Sequence, residues 1–205
     1  MTATTAPTTA SVEQATPAWA VATLFPAQGQ WSEEDYLLLP TNHLVEFSHG
    51  QVEVLPMPSQ LHQLIVLFLY RAIYDVVIAN NLGVVLIAPM RVQLWPGKFR
   101  EPDVAFMLAV NAQRRHDAYW EAADLVIEVV SPDDPQRDLV TKRREYAQAG
   151  IPEYWIVDPQ AARVTVLRLE ADRYVEHGVW GTGMCATSLL LQGFVVEVDR
   201  VFAVA

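Results

Sequence analysis

The sequence predicts an α/β domain: a mixed sheet with helices before and after its central strands. Three observations point to it. The segment from Pro58-Ser59 to about Asn80 is apolar at helical spacing around nearly its whole circumference. Asp124–Val130 is a run of aliphatic and β-branched residues of strand length, as expected of a central strand covered on both faces. A second helical segment, Asp138–Ala149, comes next and stops at Gly150 and Pro152, and another apolar strand opens at Glu153.

Residues 1–30 are rich in Thr, Ala and Pro without a sustained period and read as a flexible or loosely packed tail, leaving 31–205 as the domain. Ser32, with Asp35 three residues on, predicts a helix over Ser32–Leu38. His43–Ser48 and Gln51–Leu55 flank His49-Gly50 as a β-hairpin. The long helix needs cover on more than one side, from the core or from a second subunit. Strands are expected at Val84–Ala88, Arg91–Trp95, Asp103–Leu108, Leu125–Val130 and Glu153–Val157. Others lie near Arg163–Leu169 and Tyr174–Val179, with a last strand pair over Leu189–Val198.

Composition narrows the function. At 205 residues, 52% hydrophobic and 19% charged, the chain can bury a core and is not of disordered type. The run Leu64–Tyr70 is short for a membrane span, and Arg71 and Asp75 interrupt the apolar segment beyond it, so no membrane helix is expected. The N-terminus shows no signal-peptide pattern. A lone Cys185 excludes an internal disulfide and a thiolate zinc site, and suits the cytoplasm. The net charge of −10 opposes generic nucleic-acid binding. Arg91, Lys98, Arg100, Arg143 and Arg144 either line one basic face or are scattered over an acidic surface. The chain has no Gly-rich phosphate loop, no Gly-x-Ser-x-Gly elbow and no zinc signature.

Glu128 stands inside the most apolar strand, where an unpaired carboxylate costs several kcal/mol and needs a cation or an arginine partner. Asp103 opens a neighbouring strand behind Pro102. Alone it reads as a turn; facing Glu128 it makes a pair of acids that needs positive charge between them. Oxygen ligands suit Mg²⁺ or Mn²⁺. Lys142, one of only two lysines, shares a helix stripe with Asp138 and Tyr146, either as a functional ammonium or as an ordinary i,i+4 pair. Glu46, another acid in an apolar strand, is a candidate to complete the site. His62, at the start of the long helix, is either a neighbour of the site or a structural histidine.

Val126-Ile-Glu-Val-Val-Ser-Pro132, Arg137-Asp-Leu, Lys142, Tyr146 and Ala149-Gly-Ile-Pro-Glu-Tyr-Trp-Ile-Val-Asp-Pro159 resemble the Uma-two family of restriction endonuclease-like proteins. Pro102-Asp-Val104, Leu44-Val-Glu-Phe with Gly50, and Pro58-Ser59 with His62 match as well, so the resemblance runs from about Trp31 to Phe202. It implies a restriction endonuclease-like mixed sheet flanked by helices, with extra N- and C-terminal strands, of the PD-(D/E)XK nuclease superfamily. By that resemblance Asp103, Glu128 and the Val129 backbone carbonyl hold Mg²⁺, and Glu46 supports the metal or its waters. The superfamily lysine stands two residues after the second acid. Here that position is Val130, and Lys142 on the following helix takes its place, positioned by Asp138 and Tyr146. Gln51 also departs from the acid expected after the hairpin glycine. The activity implied is Mg²⁺-dependent hydrolysis of nucleic-acid phosphodiesters, DNA first; the apolar circumference of the long helix points to a homodimer joined through it. The alternatives are a non-catalytic binding or regulatory module and a metal-dependent hydrolase of a small phosphoester.

Overall fold

The computed structural model describes residues 25–41 and 43–204. A short helix, α1 (Glu33–Leu37), begins at Ser32, whose hydroxyl accepts from the Asp35 amide while the Asp35 carboxylate accepts from the Ser32 amide. This is the reciprocal cap expected from the sequence. The strands β1 (Val45–Ser48) and β2 (Gln51–Val54) form the expected hairpin. His49 (φ 46°) and Gly50 (φ 82°) both take the left-handed conformation that a two-residue hairpin turn needs. Of the expected tail, residues 1–24 lie outside the described residues. Residues 28 and 29 are tied to this hairpin: the Gln28 side chain both donates to and accepts from the Val52 backbone, and the Gly29 amide donates to Gly50 O at 2.7 Å.

The long helix α2 (Gln60–Ala79) is capped by Ser59 and followed by β3 (Gly83–Ile87), β4 (Val92–Trp95), β5 (Lys98–Arg100) and β6 (Val104–Leu108). After the short β7 (Trp120–Glu121) come β8 (Leu125–Val129), a π-helical turn over Arg137–Lys142, and its continuation α3 (Arg143–Gln148). The chain then forms β9 (Glu153–Asp158), β10 (Arg163–Glu170), β11 (Arg173–Trp180), β12 (Cys185–Thr187), β13 (Val195–Glu197) and α4 (Val198–Phe202).

Six strands make the main sheet, in the order β11-β10-β9-β8-β6-β3. Only the β8–β9 pair within it is parallel, joined through the π-turn and α3. Every residue of β8 is buried. Its alternating side chains serve two cores, as the two-residue period of a strand dictates. Leu125 and Ile127 pack with Ile65, Leu69 and Ile73 of α2, whereas Val126 packs with Tyr146 and Ala147 of α3. Each aliphatic side chain fully buried this way contributes about 1.5–3 kcal/mol. A second sheet, β2-β1-β5-β4-β7, is closed by a small aromatic core of Trp31, Tyr36, Phe47 and Phe99.

Three differences from the sequence expectations have physical causes. β5 is a strand although Lys98-Phe-Arg100 reads as exposed, because both cations are buried in ion pairs. The last strand pair is β12 with β13, and Leu189–Leu191 only connects them, since the Leu189 and Leu190 amides donate to the Glu153 carboxylate. By length and composition α2 does match a membrane span. Its stripe of Ile65, Val66, Leu69, Ile73 and Val77 is instead packed into the sheet core.

Candidate active site

Strand register builds the site. β6 and β8 pair antiparallel with Val104 opposite Ile127 and Ala105 opposite Val126. Continuing that register by one pair sets Asp103 opposite Glu128. The two acids meet at one end of the sheet, where β6 enters and β8 leaves. The Val129 amide donates to Asp103 Oδ2 at 2.8 Å, and His62 Nε2, from the first turn of α2, lies 3.2 Å from the same oxygen. Among the described residues nothing bonds Asp103 Oδ1.

Glu128 is 2 % exposed and receives two groups from the helical segment after it. Lys142 Nζ lies 2.8 Å from its Oε2, and the Tyr146 hydroxyl donates to its Oε1. Lys142 also sits 3.0 Å from Asp138 Oδ1. Asp138, Lys142 and Tyr146, four residues apart, therefore point along one stripe towards the β8 acid. The π-helical winding over Arg137–Lys142 sits where such local widenings often accompany functional sites. Val130, at the position two residues after Glu128, is buried and bonds through its amide to Val157 O, so the ammonium reaches the acid from the helix instead.

The pocket carries more negative than positive charge. Burial pushes the Glu128 carboxyl up to about 8, and the facing charges of Asp103 and Asp138 add to that against the opposing pull of Lys142. Burial alone would lower the Lys142 ammonium, but Glu128 and Asp138 outweigh it and hold the pKa well above the usual lysine range. Lys142 is therefore a fixed cation at neutral pH and not a proton acceptor. Burial likewise opposes charging of His62, yet its bond to Asp103 raises its pKa overall.

A cleft of about 460 Å³ opens on Asp103, Glu128, Asp138, Lys142 and His62 together. Among the described residues no three His, Cys, Asp or Glu side chains form a ready ligand set. Where β6 and β8 meet, the cleft offers the Asp103 and Glu128 carboxylates, the first with an unbonded oxygen, and the Val129 backbone. That all-oxygen set, in a pocket short of positive charge, fits a hard divalent cation.

Glu46 is engaged elsewhere. Its carboxylate accepts from the guanidinium groups of Arg100 and Arg137 and, at 3.4 Å, from the Glu101 amide. Burial would raise its pKa, but Lys142, Arg100 and Arg137 together hold it down at about 2. Glu46 does not line the cleft and serves as counter-ion for two arginines. The sequence reading also missed Arg137 and Glu145. Arg137 lines the cleft and links Glu46 to Glu53. Glu145 binds Lys98 at 2.9 Å and Arg100 at 2.7 Å, which pins α3 to β5. For Arg137 the one signal was its place in the Arg-Asp-Leu motif. Nothing local marks Glu145.

The model of the Uma2 family, described as "Putative restriction endonuclease", matches residues 33–199, which spans the hairpin, the cleft and the C-terminal strands. The chain belongs to the Uma2 family. A crystal structure from Anabaena variabilis, described as "a putative nuclease belonging to DUF820", superimposes on this Uma2 chain with a TM-score of 0.70. The two are 19% identical, over 85% of this chain and 98% of that one, a likeness that shows a shared fold. No curated protein matches the chain.

Proposed function

We propose that this Uma2 protein is a Mg²⁺-dependent endonuclease that hydrolyses nucleic-acid phosphodiester bonds, DNA being the first substrate to test. The observation that carries the reading is the convergence of Asp103, Glu128 and Lys142 in one cleft, from two adjacent strands and the following helix. The family description and the fold of the Anabaena protein support it.

In this reading Asp103, Glu128 and the Val129 carbonyl hold the ion, with Mn²⁺ as a substitute. When bound, it supplies activation of the attacking water and stabilisation of charge on the phosphorus centre. The chain's own groups do the rest. Lys142, a permanent ammonium, neutralises charge that develops on a phosphoryl oxygen, a contribution commonly of a few kcal/mol to the transition state. Asp138 and Tyr146 are positioning residues that hold Lys142 and Glu128 in place. Water oxygen bonds to phosphorus, the bridging ester oxygen leaves and takes up a proton, and the products are a phosphate monoester and an alcohol.

Calorimetry with Mg²⁺ and Mn²⁺ and plasmid cleavage, on the native protein and on Glu128→Gln, test the assignment. Binding and cleavage in the native protein, both lost in the variant, are expected. A native protein that binds neither ion contradicts it and favours the non-catalytic module. We further propose a homodimer joined through α2, supported by its exposed Tyr74 and Ile78, and a cytoplasmic location, which the lone Cys185 suits.

A further inference from the structure

We infer that the cleft takes a single unpaired nucleotide and that the substrate is single-stranded or frayed nucleic acid, not intact duplex. The inference rests on the nuclease reading and goes beyond it to substrate class. Its first support is charge. Asp103, Asp133, Asp134 and Asp138 line the cleft, with Glu101 and Glu128 drawn towards the protonated form by burial, against Lys142, Arg137 and His62. The Arg137 guanidinium is already held by Glu46 and Glu53. Lys98 and Arg100 are buried in ion pairs, and Arg91 lies 4.6 Å over the Tyr36 ring, 3.7 Å from Glu101. None of these three is free to track a phosphate backbone. Duplex DNA carries a charge about every 1.7 Å of its axis and is bound chiefly by neutralising several phosphates at once. A mouth flanked by Asp133 and Asp134 repels such a surface.

The second support is the remaining lining. Leu55 and Met57, on the approach to α2, Leu61 in its first turn, and Pro132 and Pro159, after the parallel strands β8 and β9, give the cleft an apolar wall. Met57 is 79 % exposed and Leu61 40 %, so this wall has no cover from the described part of the chain. Apolar side chains can receive the face of a base that has left its stack. The volume of about 460 Å³ lies in the range of pockets for small ligands. One phosphate at the Asp103–Glu128 end, where the ion of the nuclease reading would lie, and one base on the apolar wall together match the cleft's two halves.

The discriminating property is salt dependence. With one or two phosphates neutralised and a slope of about −0.7 per contact, affinity for a single strand falls only about 3- to 7-fold between 50 and 200 mM salt. A backbone-tracking duplex binder making 6–10 contacts loses roughly 10³–10⁵ over the same interval. The test uses the full chain with Mn²⁺ and a short fluorescent oligonucleotide, single-stranded or annealed, assayed for cleavage at both salt concentrations. Met57→Glu and Leu61→Glu, at exposed positions that the fold tolerates, accompany it.

Faster cleavage of the single strand with a shallow salt response is expected. Each variant is expected to lose at least tenfold of that cleavage while its Mn²⁺ binding by calorimetry is unchanged. Equal or faster duplex cleavage with a steep salt response overturns the inference and leaves the nuclease reading standing. Variants that cleave the single strand as well as the native protein also overturn it. Cleavage of neither substrate overturns both.

Discussion

Lys142 is held by two buried carboxylates, and its ammonium is the local cation that offsets them. Removing it leaves Asp138 buried without its counter-charge and Glu128 without one of its two bonded partners. Lys142→Met is therefore expected to lose cleavage and also about 3–5 kcal/mol of stability, read by urea unfolding. Glu128→Gln is expected to behave differently with pH. The Glu128 carboxyl is raised from an ordinary 4.5 to about 8, so folding favours its protonated form. That contribution is full below pH 4.5 and is lost as the pH rises through 8. The native protein should lose more stability between pH 5 and 8 than Glu128→Gln; parallel curves would contradict the assignment. At this scale the sequence was partly legible. Glu128 in an apolar strand signalled a charge with a purpose, but Glu153 in β9 carries the same signature and is structural. Trp155, Ser188 and the amides of Leu189 and Leu190 all donate to it. Three of those donors come from far along the chain, so no local pattern separates the two glutamates.

The elements are joined to the site by charge as much as by packing. Arg137 ties the π-turn to the first hairpin through Glu46 and Glu53, and Glu145 ties α3 to β5. These clamps fix the segment that delivers Asp138 and Lys142. Glu46 has its pKa lowered from 4.5 to about 2, so its contribution to stability is present above pH 4.5 and is lost as the pH falls through 2. Thermal melts of the native protein and Glu46→Gln should therefore converge as the pH drops from 5 towards 2. A gap that stays constant would mean that the ionised carboxylate is not what stabilises the hairpin. Element order, the hairpin turn at His49-Gly50 and the β6–β8–β9 core follow from periodicity and turn chemistry over short windows. β5 and the true C-terminal strand pair do not. Their placement depends on ion pairs and amide contacts with residues distant in sequence, which hydrophobic period does not encode.

For the molecule as a whole, one sheet carries two cores and exposes a charged cleft at the end of its central strands. The acidic balance of −10 opposes nucleic-acid binding by a broad basic face. The outer face of α2 leaves Tyr74 and Ile78 exposed at 42 % and 53 %. If that face joins two copies, light scattering gives twice the chain mass for the native protein and the single-chain mass for a Tyr74→Asp, Ile78→Asp variant. A native monomer would contradict it. Whether Asp103 and Glu128 share a divalent ion is read most directly by Mn²⁺ calorimetry on the native protein, Asp103→Asn and Glu128→Gln. Binding in the native protein and its loss in both variants are expected. Unaltered binding in either variant, or none in the native protein, would contradict a shared ion.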